Sequence, residues 1–136
     1  MIIENKQTIT MPPGRYYIGD LCYLLQDEWD ECCELFFAGR TDHGANQGGF
    51  TLKDGRNFVC YNTAYGDGEY FDNHGRAYGV DAGCIGLMAV PEGTDVEGGH
   101  IINFKNAFEC TKEGRGTMHF GNIVIKTDGD GEGGYW

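Results

Sequence analysis

The chain contains no serine. That absence removes two kinds of covalent hydrolase together, because the GxSxG nucleophile elbow and the SxxK arrangement both need the seryl hydroxyl. Positive charge is scarce as well, with ten lysines and arginines against 21 aspartates and glutamates and a formal net charge of −11. Binding a nucleic-acid backbone takes a basic stripe that displaces counterions. None is visible, so direct contact with DNA or RNA is not expected. No apolar run approaches the roughly 20 residues of a membrane-spanning helix. The opening segment MIIENKQTIT lacks a basic stretch followed by an apolar one. A cytoplasmic location away from membranes is therefore the expectation. CxxC and HxxxH spacings are also missing, which leaves zinc without its usual ligand sets.

The acids are unevenly placed. Residues 1–40 hold three basic and seven acidic side chains, residues 41–100 three and nine, and residues 101–136 four and five. The middle of the chain is the negative pole. Such a field steers a protein toward a basic partner, including the nucleic-acid groove of another protein; plain solubility is the competing use of the same charge.

Glycine is in excess, at 23 of 136 residues, more than twice its average share of roughly 7%. Spread among Phe, Tyr, Ile and Val, it predicts short strands and tight turns rather than a low-complexity tract. The length fits a single domain, 1–136, with a modest core. Four of the six cysteines sit in plainly apolar company: Cys22 in LCYLL, Cys60 in FVCY, Cys84 in AGCIG and Cys110 in FEC. They read as buried thiols in a reducing compartment rather than as a disulfide framework. No cofactor is implied.

Along the chain, IIENKQTIT reads as a strand, Pro12-Pro13-Gly14 breaks it, and GRYYIGD resumes as a second. From Leu24 to Phe37 the apolar residues Leu25, Trp29, Cys32, Cys33, Phe36 and Phe37 recur at three- and four-residue steps, with acids on the other face. This predicts one amphipathic helix that begins near Gln26 or Asp27 and ends at Gly39. GGFTLKDGRNFVCYNT predicts a hairpin turning at Asp54-Gly55. A strict two-residue loop would set Lys53 opposite Arg56, which favours a slightly longer one. EYF and RAYGV predict a second hairpin around Asp72-Asn73-His74-Gly75, and HIINF, AFECT, TMHF and NIVIK a C-terminal meander. The sum is an α+β fold: mostly antiparallel β, with one amphipathic helix packed on the sheet.

Most chemical motifs fall short. GDGEYF leads into a hairpin rather than a helix N-terminus, so it lacks the dipole that makes a phosphate loop attractive to anions. Asp128, Asp130 and Glu132 alternate as in the first half of an EF-hand loop, but the chain ends before the bidentate Glu. Asp67, Glu69 and Asp72 offer oxygens to a hard cation; solvated turn acids are the plainer reading. Asp81 stands apart because VDAGCIG surrounds it with small and apolar residues. It is expected to be partly buried, held by backbone amides or by Arg76.

Two blocks carry a resemblance: GRYYIGDLCYLL with the Trp-containing helix, and TAYGDGEYFDNHGRAYGVDAGCIG. Together, over roughly residues 14–86, they resemble a family of small uncharacterised bacterial and phage proteins. Its pattern runs GDPCY, a helix with Trp, then TAYGDGxYxDxxGxxYxVDAGxIG. Leu21 stands where that pattern has proline. The resemblance brings no activity, but it implies a phage or prophage setting, in which small acidic proteins inhibit host machinery.

Three functional readings follow. The first is a non-catalytic inhibitor that occupies a basic site on a host protein. It would use Glu28, Asp30 and Glu31 of the helix with Tyr65, Asp67, Glu69, Tyr70 and Asp72, because tyrosines among carboxylates give large contact area at low entropy cost. The second is a small-ligand binder, a sponge for a nucleotide signal, with Arg15, Arg40, Arg56 and Arg76 on phosphate and Tyr78 stacking. The third is a divalent-metal hydrolase built on Asp67, Glu69 and Asp72.

Overall fold

The computed structural model describes residues 8–37 and 48–128. They form β1 (Ile9–Met11), β2 (Gly14–Gly19), a 3₁₀ turn (Leu21–Tyr23), α1 (Trp29–Phe37), β3 (Gly48–Thr51), β4 (Asn57–Asn62), β5 (Gly68–Phe71), β6 (Ala77–Val80), β7 (Cys84–Ala89), β8 (His100–Phe104), β9 (Phe108–Glu113), β10 (Thr117–Phe120) and β11 (Ile123–Lys126). Every pairing between these strands is antiparallel. A five-stranded sheet runs β3-β4-β7-β2-β8 and a four-stranded sheet β1-β9-β10-β11, with β5-β6 as a separate hairpin. The expected α+β class, mostly β with a single helix, is what these residues build.

The five-stranded sheet is the middle layer, and the alternation of its side chains shows why. Tyr16, Ile18, Val59, Tyr61, Ile85 and Leu87 point to one side. There they meet Met118, Phe120, Ile123 and Ile125 of the four-stranded sheet and Tyr70, Tyr78 and Val80 of the hairpin. Tyr17, Phe58, Cys60, Cys84 and Met88 point to the other, against Leu25, Cys32 and the partly buried Trp29 and Leu35 of the helical segment. Both faces of the central strands are thus apolar, and each large side chain so buried contributes about 1.5–3 kcal/mol. Truncating one of them, Leu87→Ala for example, would cost about 2–5 kcal/mol.

The two hairpin turns share one geometry. Leu52 N–H donates to the Arg56 carbonyl at 2.8 Å and Gly55 N–H to that of Leu52 at 2.9 Å; Asp72 N–H donates to Arg76 and Gly75 N–H to Asp72, both at 3.0 Å. Each is a three-residue loop with glycine at positive φ, +96° for Gly55 and +85° for Gly75. The longer loop keeps Lys53 out of register with Arg56.

Two elements differ from expectation. The helix starts later, at Trp29, because Asp20 caps a 3₁₀ turn: its carboxylate accepts from Cys22 N–H at 3.0 Å, and the chain turns again before α1. The expected C-terminal stop at Gly39 lies outside the described residues, as do the strand expected before residue 8 and the end of the DGDGEGGYW tail. The meander keeps three of its four strands, because β8 pairs with β2 instead. Ile102 of β8 joins one core and Ile101 the other. That two-sided strand matches β2, whereas β9 turns the polar Glu109, Thr111 and Glu113 outward. Among the described residues, no helix is long and apolar enough to cross a membrane.

Candidate functional site

Two carboxylates are buried among the described residues, and each is the centre of a hydrogen-bond knot. Asp20, at the end of β2, accepts from the backbone N–H of Cys22, of Asp81 at 2.8 Å and of Ala82 at 2.7 Å. The Tyr17 hydroxyl donates to the Asp20 and Glu97 carbonyls. The two blocks of the sequence resemblance are thereby clasped to each other. Asp81, expected to be the partly buried carboxylate, is exposed, and its side chain takes the Tyr23 hydroxyl instead. The environment anticipated for it belongs to Asp20, and Arg76 serves Asp72.

Asp72 closes the β5–β6 turn. It accepts from the N–H groups of His74 and Arg76, from the Arg76 guanidinium at 3.1 Å and from the buried Tyr78 hydroxyl at 2.7 Å. Burial pushes its carboxyl pKa up, but these donors outweigh it and leave the group below its ordinary value. Asn73 then fixes the hairpin to the four-stranded sheet, exchanging hydrogen bonds with Val124 N–H and the Asn122 carbonyl.

These knots redistribute the residues singled out in the sequence. Tyr70, Asp72 and Tyr78 are buried and offer no surface to a partner or to a stacking base. Tyr70 donates to the Gly66 carbonyl at 2.9 Å and shapes the 63–67 loop. Glu28 pairs with Arg56 at 2.5 Å, and Glu31 accepts from Lys53 N–H at 2.5 Å, so both latch the helix to the β3–β4 turn. Asp30 is exposed on the helix. Arg56 also holds Asp54, Arg76 holds Asp72, Arg15 is partly buried at the start of β2, and Arg40 lies outside the described residues. No group of three or more His, Cys, Asp or Glu among the described residues is arranged to hold a metal ion. The proposed acidic face is also divided. Glu28 and Glu31 meet the turn before β4, whereas Tyr65 follows the far end of that six-residue strand, a separation of about 20 Å.

Tyr65, Asp67 and Glu69 remain at the surface. Their loop is pinned from beneath: Ala64 N–H donates to Thr127 Oγ1 at 3.0 Å, and Thr63 Oγ1 donates to the Gly66 carbonyl at 2.6 Å. Tyr65 is left 51% exposed, with the Arg115 guanidinium 5.2 Å over its ring. Asp67 lies beside Gly83 of the Asp81–Gly83 turn, so Asp67 and Asp81 share one end of the molecule.

A second surface was not legible beforehand. An open groove of about 920 Å³ crosses the outer face of the four-stranded sheet, between β9–β10 and the segment joining β8 to β9. The Glu113 carboxylate is paired with Nε2 of His119 across the strands. Gly121, at φ +61°, lets Phe104 approach: a Cβ there would lie 3.0 Å from the Phe104 ring. Phe104 stacks on Phe108 at 3.7 Å to form one wall. The only advance sign was the alternation of FECTKE, whose polar residues had no evident use beyond a solvated sheet face.

Comparison with protein-family models, with curated proteins and with solved structures finds no match for this chain.

Proposed function

We propose that this is a non-catalytic acidic binding protein that acts in the cytoplasm by occupying a basic site on another protein, as a phage-type inhibitor of a host protein does. The observation that carries the reading is Tyr65: the one large hydrophobic side chain exposed among the described residues, standing beside Asp67. Asp67 and Glu69 have no ion-pair partner among the described residues. Their charge is therefore available to a cation on a partner. A rigidly held tyrosine supplies contact area, and unpaired acids with a net charge of −11 supply attraction at a distance. The contact surface is accordingly the Tyr65 end, with Asp67, Glu69 and Asp81, rather than the helix acids already engaged at the hairpin.

The test is capture by the immobilised full chain from an extract of its host, with the bound species identified by native mass spectrometry. A stoichiometric protein with a basic surface is expected. Its affinity should fall with added salt and by about tenfold or more in Tyr65→Ala or Asp67→Lys/Glu69→Lys, while Asp30→Lys has little effect. Binding indifferent to salt and to all these changes, or no stoichiometric protein, would overturn the reading.

A further inference from the structure

We propose that the groove on the outer face of the four-stranded sheet is a second binding site, and that its ligand is an uncharged oligosaccharide. Its volume, about 920 Å³, falls within the range of small-molecule sites. What selects the ligand class is the mixture of groups along it. Asn103, Asn106 and Asn122 line it with carboxamides that both donate and accept, and Thr10 and Thr111 add hydroxyls. A sugar hydroxyl likewise donates and accepts, so it is satisfied by this lining where an apolar ligand would leave the polar groups unpaired. His119 adds an imidazole to the same lining, beside Glu113. The stacked Phe104–Phe108 pair gives the groove an apolar wall for the C–H face of a sugar ring.

Charge argues against the alternatives. Lys105 is the one lysine or arginine on the lining, against Glu109 and Glu113, in a protein of net −11. A phosphorylated or carboxylated ligand would meet two acids and one base. A polyamine would gain from the acids, but it would leave the carboxamide and hydroxyl acceptors mostly unused and would face Lys105. The site opens on the outer face of the four-stranded sheet, with Phe104 and Phe108 joining it to the core at one edge, and the inference does not depend on the protein-binding reading.

The experiment is a titration of the ¹⁵N-labelled full chain, followed by amide chemical shifts. The probes are a panel of neutral hexose, pentose and N-acetylhexosamine oligosaccharides, with spermidine and inorganic phosphate as the charged comparisons. At least one neutral oligosaccharide should give saturable shifts centred on Thr10, Asn106, Thr111, His119 and Asn122, with a Kd of about 1 mM or tighter. Asn106→Ala, in an exposed loop, should weaken that binding about tenfold while the rest of the spectrum is unchanged. The proposal is overturned if no neutral member of the panel saturates, if the shifts map elsewhere, or if only spermidine or phosphate binds in the groove.

Discussion

The buried carboxylate of Asp20 accepts the backbone N–H of Asp81 at 2.8 Å, across 61 residues of sequence. With the Ala82 and Cys22 amides it makes one charged acceptor serve three donors, and it joins the end of β2 to the turn between β6 and β7. Charge-assisted bonds of this kind are the stronger ones, and the buried charge is tolerable because they surround it.

Asp20→Ala should therefore cost about 3–5 kcal/mol, since it leaves three amides without their acceptor. Asp20→Asn should cost less, about 1.5–3 kcal/mol, because the carboxamide keeps one oxygen but turns an NH₂ toward a donor. Urea denaturation measures both. A loss below 1 kcal/mol for the alanine variant would mean that water replaces the carboxylate and that the clasp is dispensable.

This clasp also marks the limit of what the sequence showed. The hairpins were readable because their turn chemistry is local: Asp54-Gly55 and His74-Gly75 put the positive-φ glycine where three-residue loops need it. Which of Asp20 and Asp81 is buried was not readable, because small and apolar neighbours flank both and the choice is made by contact between distant segments. The same holds for β8, whose place beside β2 follows from Ile101 and Ile102 serving opposite cores. Tyr70, Asp72 and Tyr78 looked like surface because glycines and acids surround them, yet the hairpin folds them onto the core. The groove is formed by elements far apart in sequence, so no stretch of the chain announces it.

On the acid side, stability should depend on Asp72. Its folded pKa is lowered, as is that of Asp128, which accepts from Thr117 Oγ1 at 2.6 Å; in each case burial opposes the shift and the hydrogen bonds prevail. A lowered carboxyl pKa contributes stability that is complete above the unfolded value of about 4 and is lost as pH falls through the folded value. Midpoints of chemical denaturation should hold steady down to about pH 4 and then drop. Tyr78→Phe removes the buried donor to Asp72; it should cost about 1–2 kcal/mol at neutral pH and flatten the acid limb. An acid limb unchanged in this variant would mean that other carboxyls govern it.

On the alkaline side the thiols should govern. Burial raises Cys22, Cys32 and Cys110 to about 12, with neighbouring carboxylate charge adding to the shift at Cys22, and the wholly buried Cys60 is raised as well. A raised pKa contributes stability that is complete below the unfolded value of about 8.5 and is lost as pH climbs through the folded one. Lys112 acts in the opposite sense, because burial lowers it to about 8, but it is one group against five thiols, since burial raises Cys33 too. The denaturation midpoint should decline above about pH 9. In native protein at pH 8, alkylation followed by mass spectrometry should find Cys32, Cys60 and Cys110 slow, and all six cysteines fast in guanidinium. A free-thiol rate at Cys32, Cys60 or Cys110 in the folded protein would contradict the burial assigned to it.

Gly99 tests how β8 is seated beside β2. A Cβ at this position would lie 2.2 Å from the Ile18 carbonyl oxygen and 2.9 Å from the Gly19 Cα, both backbone atoms. Neither can move aside by changing rotamer, so the entry to β8 must shift away from β2, where Ile18 pairs with His100. Gly99→Ala should therefore cost about 2–4 kcal/mol. Gly79→Ala is the matched control, because a Cβ there meets nothing within 4 Å, and it should stay within about 0.5 kcal/mol of the parent. The loss at Gly99 should also appear as faster hydrogen exchange at the amides of β8 than at those of β4 and β7, which lie on the other side of β2. Equal effects of the two substitutions would show that β8 yields freely and that the close approach at Gly99 does not hold the edge of the sheet.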